Sequence, residues 1–281
     1  MPPIGIASGV LSALSFGIGD FAGALAARRA GALVVVAGAH LIGLVALLLA
    51  ALVVQPRLPD VDGVLLGLAA GVAGAVGLAA LYRGMALGSM GLVTALSGAG
   101  SLAIPLVVGA LLGARIAPLQ LVGVACAAGA AVAASGASRG EVGRQALLLA
   151  AVAAVGFGTW YVLLDLAANA GDPLWALVLS RAASAGVTAA VVIPRLLRSG
   201  AGERLPLRLV VAAGLFDVGG NALYVVARDV MPVGLAAALV GMYPIVTMLL
   251  ARFVIGERLP PLGHLGVALA LLGIVLISIG G

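Results

Sequence analysis

The chain has little charge, few aromatic rings and a single cysteine, and each shortage excludes a class of protein. Charged residues make up only 9% of its 281 residues and hydrophobic residues make up 63%, which excludes a water-soluble globular domain. Cys126 has no second cysteine with which to form an internal disulfide. Lysine is absent, and the fifteen arginines are so dispersed that no loop carries enough positive charge to bind nucleic acid.

Signatures of catalysis and of cofactor binding are also missing from the sequence. No cysteine and histidine cluster has metal-ligand spacing, no glycine-rich phosphate-binding loop follows a strand, and no nucleophile elbow is present. We therefore predict no cofactor, no bound metal, no enzymatic activity and no ATPase subunit. The first apolar stretch lacks the positively charged leader of a signal peptide, so it is predicted to be a retained helix.

The sequence does contain ten apolar stretches, each long enough to cross a bilayer, for which a helix needs about 20 apolar residues. An all-α integral membrane protein with ten transmembrane helices is therefore predicted. The predicted spans are Ile4–Ala26, Ala32–Val54, Val61–Gly84, Gly91–Leu112, Pro118–Ala137, Gln145–Ala168, Pro173–Arg195, Leu207–Ala227, Val233–Ile255 and Leu262–Ile279.

The arginines are distributed unequally between the two sides of the predicted bundle. Loops on one side hold Arg28, Arg29, Arg83, Arg139, Arg144, Arg195, Arg198, Arg204, Arg208, Arg252 and Arg258. Loops on the other side hold only Arg57, Arg115 and Arg228. The positive-inside rule places the arginine-rich side in the cytoplasm, so both termini are predicted to lie outside.

The second half of the chain repeats the first. Corresponding residues are separated by 141 to 143 positions. Phe16-Gly17 thus corresponds to Phe157-Gly158, His40 to Arg181, and Gly98 to Gly241. The two units are residues 1–140 and 141–281. Because each unit holds five helices, an odd number, the second must enter the membrane from the opposite face, which predicts an inverted repeat suited to alternating access.

Two prolines mark equivalent helices of the two units. Pro105 lies in the fourth span and Pro244 in the ninth, about one turn apart once the repeats are aligned. A proline inside a helix removes a backbone hydrogen bond, so both residues are predicted to kink their helices. Interrupted helices at corresponding places in two halves indicate a transport site.

The closing stretch of each half resembles the EamA-type transporters of the drug/metabolite transporter superfamily. The resemblance rests on an aromatic–basic helix end, a Gly-Leu helix start, a proline inside that helix, and the sequence Gly256-Glu257-Arg258-Leu259 before the last helix. It implies a bacterial inner-membrane exporter of amino acids, possibly aromatic, or of other small metabolites. The first half departs from the family pattern, because Ala114 stands where a glutamate is usual.

Several polar side chains are predicted to lie at membrane depth, where a charge costs about 2.5–3.5 kcal/mol and therefore needs a partner, a water-filled cavity or a function. Asp20 resembles the acidic residue that small relatives in the superfamily use to bind protons and cationic substrates. In the eighth span, three polar residues fall on one stripe. The set comprises Asp20, His40, Arg181, Asp217, Asn221 and Tyr224.

Two interpretations of these charges are open. Arg181 could form a buried ion pair with Asp217 or Asp20 that joins two helices. Alternatively, Arg181 could bind a substrate carboxylate while one of the aspartates binds an ammonium group, as a zwitterionic amino acid requires. His40 is a candidate for proton coupling together with Asp20, since its ordinary pKa lies near neutrality, or it is an unprotonated side chain bonded to a neighbouring helix.

Aromatic residues inside the spans are candidates for lining a substrate cavity with their rings. For Tyr82 and Tyr224, which fall near helix ends, the alternative is an interfacial belt. The candidates are Phe16, Tyr82, Trp160, Tyr161, Tyr224 and Tyr243.

The main hypothesis is a secondary transporter that exports a small metabolite, with an amino acid as the preferred substrate. Three alternatives remain open. A multidrug or quaternary-cation exporter of the same superfamily is the first. An intramembrane aspartyl protease is suggested by Gly17-Ile18-Gly19-Asp20, but the chain has neither the Tyr-Asp pair nor the Pro-Ala-Leu motif of those enzymes. A channel, whose flux would not saturate with substrate, is the third.

Overall fold

A computed structural model describes residues 3–55, 57–113, 115–137, 140–199 and 205–280. Within these ranges the chain forms eleven helices and no strand. They are α1 (Pro3–Ala30), α2 (Ala32–Val54), α3 (Val61–Leu87), α4 (Met90–Leu111), α5 (Pro118–Ala137), α6 (Gly140–Asn169), α7 (Pro173–Ser199), α8 (Leu207–Val230), α9 (Val233–Val240), α10 (Tyr243–Val254) and α11 (Pro261–Ile279).

Ten of these helical segments are long and apolar enough to cross a membrane, with α9 and α10 together forming one span, Gly234–Val254. Many of their large apolar side chains, such as Leu52, Leu111 and Phe253, are exposed on the outside of the bundle. Lipid is the environment that suits such a surface. The predicted all-helical membrane architecture with ten spans is therefore confirmed.

Several helices extend beyond the predicted spans. Helix α1 continues four residues past Ala26, and α6 begins at Gly140 rather than at Gln145. The apolar pattern ends where the bilayer ends, whereas a helix continues until a residue stops it. For α1 that residue is Gly31, whose φ of +81° is open to glycine but strained for other residues.

The ninth span contains a break rather than the kink that was predicted for a single helix. Helix α9 ends at Val240, Gly241 and Met242 form a turn, and α10 begins at Tyr243 with Pro244 in its first turn. Because Pro244 has no N–H, it cannot bond the carbonyl of Val240, and this favours a break one turn before it. Helix α4, in contrast, runs through Pro105 without interruption.

Helix contacts occur in pairs that correspond when the two halves are exchanged. The most extensive contacts join α3 to α6, α1 to α8 and α5 to α11, and α2 also packs along α7. Exchanging the two halves turns the α1–α8 contact into the α6–α3 contact and leaves the α2–α7 and α5–α11 contacts in place. The contacts agree with a two-fold relation between units 1–140 and 141–281, whose boundary and inverted topology stay predictions.

A carboxylate joins the two halves at the arginine-rich end of the bundle. Glu257, in the segment before α11, accepts hydrogen bonds from Ser89 Oγ at 2.6 Å and from the backbone N–H groups of Met90 at 3.0 Å and Gly91 at 3.5 Å. These donors form the start of α4, where unpaired N–H groups and the helix dipole favour a negative charge. We call this contact the Glu257 clasp.

Candidate functional site

Arg181 is the centre of a buried polar network between α2, α7 and α8. Its Nη2 lies 2.5 Å from Asp217 Oδ2, and its Nη1 lies 2.6 Å from His40 Nε2. The other ring nitrogen of His40, Nδ1, hydrogen-bonds Ser184 Oγ, one turn further along α7. The structure therefore contains the ion pair that the sequence offered as one interpretation of Arg181.

These contacts define the hydrogen-bonding role of His40, which is only 2% exposed. A guanidinium has donors and no acceptor, so His40 Nε2 must accept the bond from Arg181. The remaining ring proton then lies on Nδ1 and points to Ser184, as in a neutral imidazole. This arrangement matches the unprotonated histidine bonded to a neighbouring helix, and the proton-coupling role of His40 stays a prediction.

Asp20 differs from Asp217 in having no partner among the described residues. It lies on α1, half-buried, within electrostatic range of Asp217. Among the residues that the structure describes, none donates a hydrogen bond to the Asp20 carboxylate or forms an ion pair with it. An ionised carboxylate at membrane depth is costly unless something pairs with it, so Asp20 is the side chain of this region that most requires a proton or another cation.

The packing of α1 against α8 places Asp20 beside Asp217. Gly19 lies against Phe216 and the backbone of Asp217, and Ser15 Oγ donates to the carbonyl of Phe216 at 2.6 Å. Ser12 Oγ donates to the carbonyl of Gly220 at 2.7 Å. Ser12 and Ser15 were not predicted, although their spacing with Gly19 on one face of the first helix is a signal for close helix packing.

Aromatic rings surround this acidic region. Tyr161 is 44% exposed, lies within electrostatic range of both aspartates and packs edge-on against Trp160 with ring centroids 5.0 Å apart. Phe16 and Tyr243 form a second edge-on pair at 6.2 Å, and Tyr243 also lies within electrostatic range of Asp20. Tyr161 is therefore an aromatic neighbour of the aspartates.

Trp160 and Tyr82 have structural contacts of their own. Trp160 Nε1 donates to Ser180 Oγ at 2.9 Å, a contact that sequence reasoning missed even though Ser180 precedes Arg181. Tyr82 is only 1% exposed, lies against Gly23 and is within electrostatic range of Asp20. An interfacial belt position does not fit a tyrosine that is completely buried.

The remaining stripe residues on α8 lie at the edge of the region. Asn221 Nδ2 donates to the carbonyl of Asp217 at 2.8 Å, and Tyr224 packs with Ala227 and Met231 near α9. Tyr224 is nevertheless within electrostatic range of Tyr161. We call the group Asp20, Asp217, Arg181, Trp160, Tyr161 and Tyr243 the acidic–aromatic site. Its role in substrate binding stays a prediction.

Metal binding has no support in the described part of the chain, where no three histidine, cysteine, aspartate or glutamate side chains are grouped. Asp20 and Asp217 are a pair of neighbouring carboxylates, as an aspartyl protease requires. However, Asp217 is bound by Arg181, whereas that chemistry needs two carboxylates that share a proton. The geometry thus favours binding of a charged solute over peptide hydrolysis.

Comparison with known proteins gives three findings. Residues 144–279 match the EamA-like transporter family. Over 94 residues, 33% of this chain and 84% of the relative, the sequence is 33% identical to multidrug transporter PA4990 of Pseudomonas aeruginosa. One solved crystal structure shares the fold over 96% of each chain, with a TM-score of 0.61 and 19% sequence identity.

Proposed function

The chain belongs to the EamA-like transporter family, and from that premise we propose that it exports a small molecule carrying an ammonium group. Members of this family are transporters rather than enzymes, and the ten spans make the chain a multi-pass membrane protein. We place it in the bacterial inner membrane with both termini outside. In this proposal the substrate binds at the acidic–aromatic site and moves by alternating access between the two halves.

The carboxylate of Asp20, which has no partner among the described residues, is the observation that carries the proposal. Asp217 already has a cation in Arg181, whereas Asp20 has none among the described residues. The neighbouring rings of Tyr161 and Tyr243 offer π faces, which attract ammonium ions. A carboxylate and aromatic rings together suit an organic cation, and PA4990 is named a multidrug transporter. Export of organic cations is therefore our first candidate function.

Export of an amino acid, aromatic amino acids included, is the second candidate function. It is favoured by the close presence of both charge signs, since Arg181 and the two aspartates lie within electrostatic range of one side chain, Tyr82. An amino-acid carboxylate would have to compete with Asp217 for the guanidinium, which Asp217 and His40 hold at 2.5 and 2.6 Å. This competition is why we rank the amino acid second.

Coupling to protons follows from the same carboxylate. A proton and an organic cation cannot both occupy Asp20, so binding of one releases the other, and inward proton flow could drive export. The break between α9 and α10 and the proline of α4 are the proposed hinge points. No cofactor, nucleic acid or ATPase subunit takes part in this mechanism.

Uptake into proteoliposomes tests the proposal. The purified protein would be reconstituted with and without a pH gradient and given aromatic quaternary amines, primary amines and a panel of amino acids. We expect saturable uptake of the cations that depends on the gradient. Asp20→Asn should lower it about 100-fold or more, because removing one member of a desolvated charge pair costs about 3 kcal/mol or more.

Asp165→Asn is the matched control, because Asp165 is an exposed carboxylate on α6 that contacts Asn169. It makes the same change of charge outside the site and should keep uptake at the wild-type rate. Uptake of amino acids without uptake of cations would select the second candidate. Flux that fails to saturate would contradict a carrier of either kind and would favour a channel.

A further inference from the structure

A cavity lies away from the acidic–aromatic site, at the arginine-rich end of the bundle. It is a groove of about 660 Å³ between the α1–α2 turn and helices α3, α6 and α7. Small residues leave this space open, among them Gly31, Ala75 and Ala79. Thr188 forms part of its wall, but the Thr188 hydroxyl donates to carbonyls of its own helix, so the groove offers an apolar surface.

The groove opens towards the bilayer rather than towards the centre of the bundle. Val76, Val152 and Val187 stand on its walls and are 50%, 44% and 44% exposed. In a membrane-spanning segment, exposed valine side chains face hydrocarbon, and an apolar groove between them is filled by hydrocarbon. The occupant therefore has at least one acyl or alkyl chain.

Two arginines stand at one end of this groove. Arg83 lies four residues before the end of α3 and Arg195 four residues before the end of α7, each about 6 Å from the helix end. Arginine side chains this close to a helix end can extend to the headgroup level of the bilayer. Among the described residues that line the groove none is acidic, and Arg83 and Arg195 are its charged side chains.

We infer that the groove is a binding site for an anionic phospholipid. One acyl chain lies along the valine and alanine walls, and the phosphate is bound by Arg83 and Arg195. Guanidinium groups bind phosphate oxygens in a bidentate manner, and basic pockets between transmembrane helices are typical sites for anionic headgroups. A zwitterionic lipid fits less well, since its own cation would approach the two arginines.

Native mass spectrometry of the detergent-purified full chain tests this site. The probes are phosphatidylglycerol and phosphatidylcholine with identical acyl chains. We expect the wild type to retain phosphatidylglycerol preferentially, and retention to fall about fivefold for each arginine removed in Arg83→Gln and Arg83→Gln/Arg195→Gln. Ala79→Leu fills the groove and should lower retention of both lipids. Val76→Phe is the alternative filling variant if Ala79→Leu does not fold.

Arg252→Gln is the matched control, because Arg252 lies in the last turn of α10 at the same end of the bundle but outside the groove. It should retain phosphatidylglycerol as the wild type does. Three results would overturn the inference. They are equal retention of the two lipids by the wild type, unchanged retention by the double arginine variant, and a loss in Arg252→Gln as large as that in Arg83→Gln.

Discussion

Where α1 crosses α8, the ring of Phe16 lies against Gly220, and where α6 crosses α3, the ring of Phe157 lies against Gly77. The two crossings are related by the sequence repeat and share this aromatic–glycine packing. Four residues after each phenylalanine, however, the first crossing has Asp20 and the second has Tyr161.

The partner helices differ in the same way. Three residues before its glycine, α8 carries Asp217, while α3 carries Gly74, against which Trp160 packs. The shared residues provide close packing, and the divergent ones provide chemistry. One crossing contributes carboxylates to the site and the other contributes rings. In the function that we propose, the residues that differ between the two crossings allow the site to discriminate charge.

The largest effect should come from removing Arg181, the cation that pairs with Asp217. Arg181→Met leaves the half-buried Asp217 without its partner, and we expect a loss of about 3 kcal/mol in the free energy of unfolding. The double variant Arg181→Met/Asp217→Asn removes both charges and should recover more than half of that loss. Denaturant unfolding in detergent micelles measures both values.

A different result would change the assignment of Arg181. If Arg181→Met unfolds like the wild type but no longer transports, the guanidinium serves the substrate rather than the fold. In that case the amino-acid candidate becomes the first one, because a substrate carboxylate is the natural partner of an arginine that stability does not need.

The sequence predicted the ten membrane-spanning helices better than it predicted the contacts within the candidate site. Apolar length gave the ten spans, since a bilayer imposes that length on every helix. Spacing alone could not decide whether Arg181 bonds Asp217 or Asp20, because that choice depends on how α7 and α8 each pack against α2. It also could not predict the Ser180–Trp160 hydrogen bond, which depends on the packing of α6 against α7. At Pro244 it predicted a kink, because the missing N–H does not by itself decide between a kink and a break.

The pH dependence of cation binding gives the next effect. A proton competes with the cation for Asp20, so lowering the pH should weaken cation binding, by up to about tenfold per pH unit once the carboxylate is mostly protonated. Asp20→Asn should abolish this dependence and Tyr161→Phe should keep it. Titration of a bound cation between pH 5 and about 9 measures it.

Substitution of His40 is the comparison for Asp20→Asn in the same pH titration of cation binding. Its ring already accepts a bond from Arg181, so His40→Gln should leave the slope with pH unchanged. A dependence that persists in Asp20→Asn and disappears in His40→Gln would transfer the proton-binding role from the aspartate to the histidine.

Packing at the two crossings should respond unequally to an added methyl group. A Cβ at Gly156 would come 2.6 Å from the Cα of Gly77, whereas a Cβ at Gly19 would come no closer than 3.2 Å to Phe216. Backbone cannot move aside as a side chain can, so Gly156→Ala should cost about 1–3 kcal/mol and Gly19→Ala less than about 1 kcal/mol. Gly186→Ala, with no atom within 4 Å, is the control. Equal losses at Gly156 and Gly19 would contradict the difference in backbone approach.

The smallest effect concerns the arginine-rich end of the bundle, where the two halves also differ. The repeat counterpart of Glu257 is Ala114, which lies outside the described residues. Glu257→Ala removes the acceptor of the Ser89 and Met90 hydrogen bonds and should cost about 1 kcal/mol, as loss of a helix cap does. Glu257→Gln keeps an acceptor and loses only the charge at the α4 dipole, so it should cost about 0.3–1 kcal/mol.

Amide hydrogen exchange at Met90 should accelerate in Glu257→Ala and remain slow in Arg258→Ala, which changes the exposed neighbour. Unchanged exchange at Met90 in Glu257→Ala would mean that α4 keeps its first turn without the clasp.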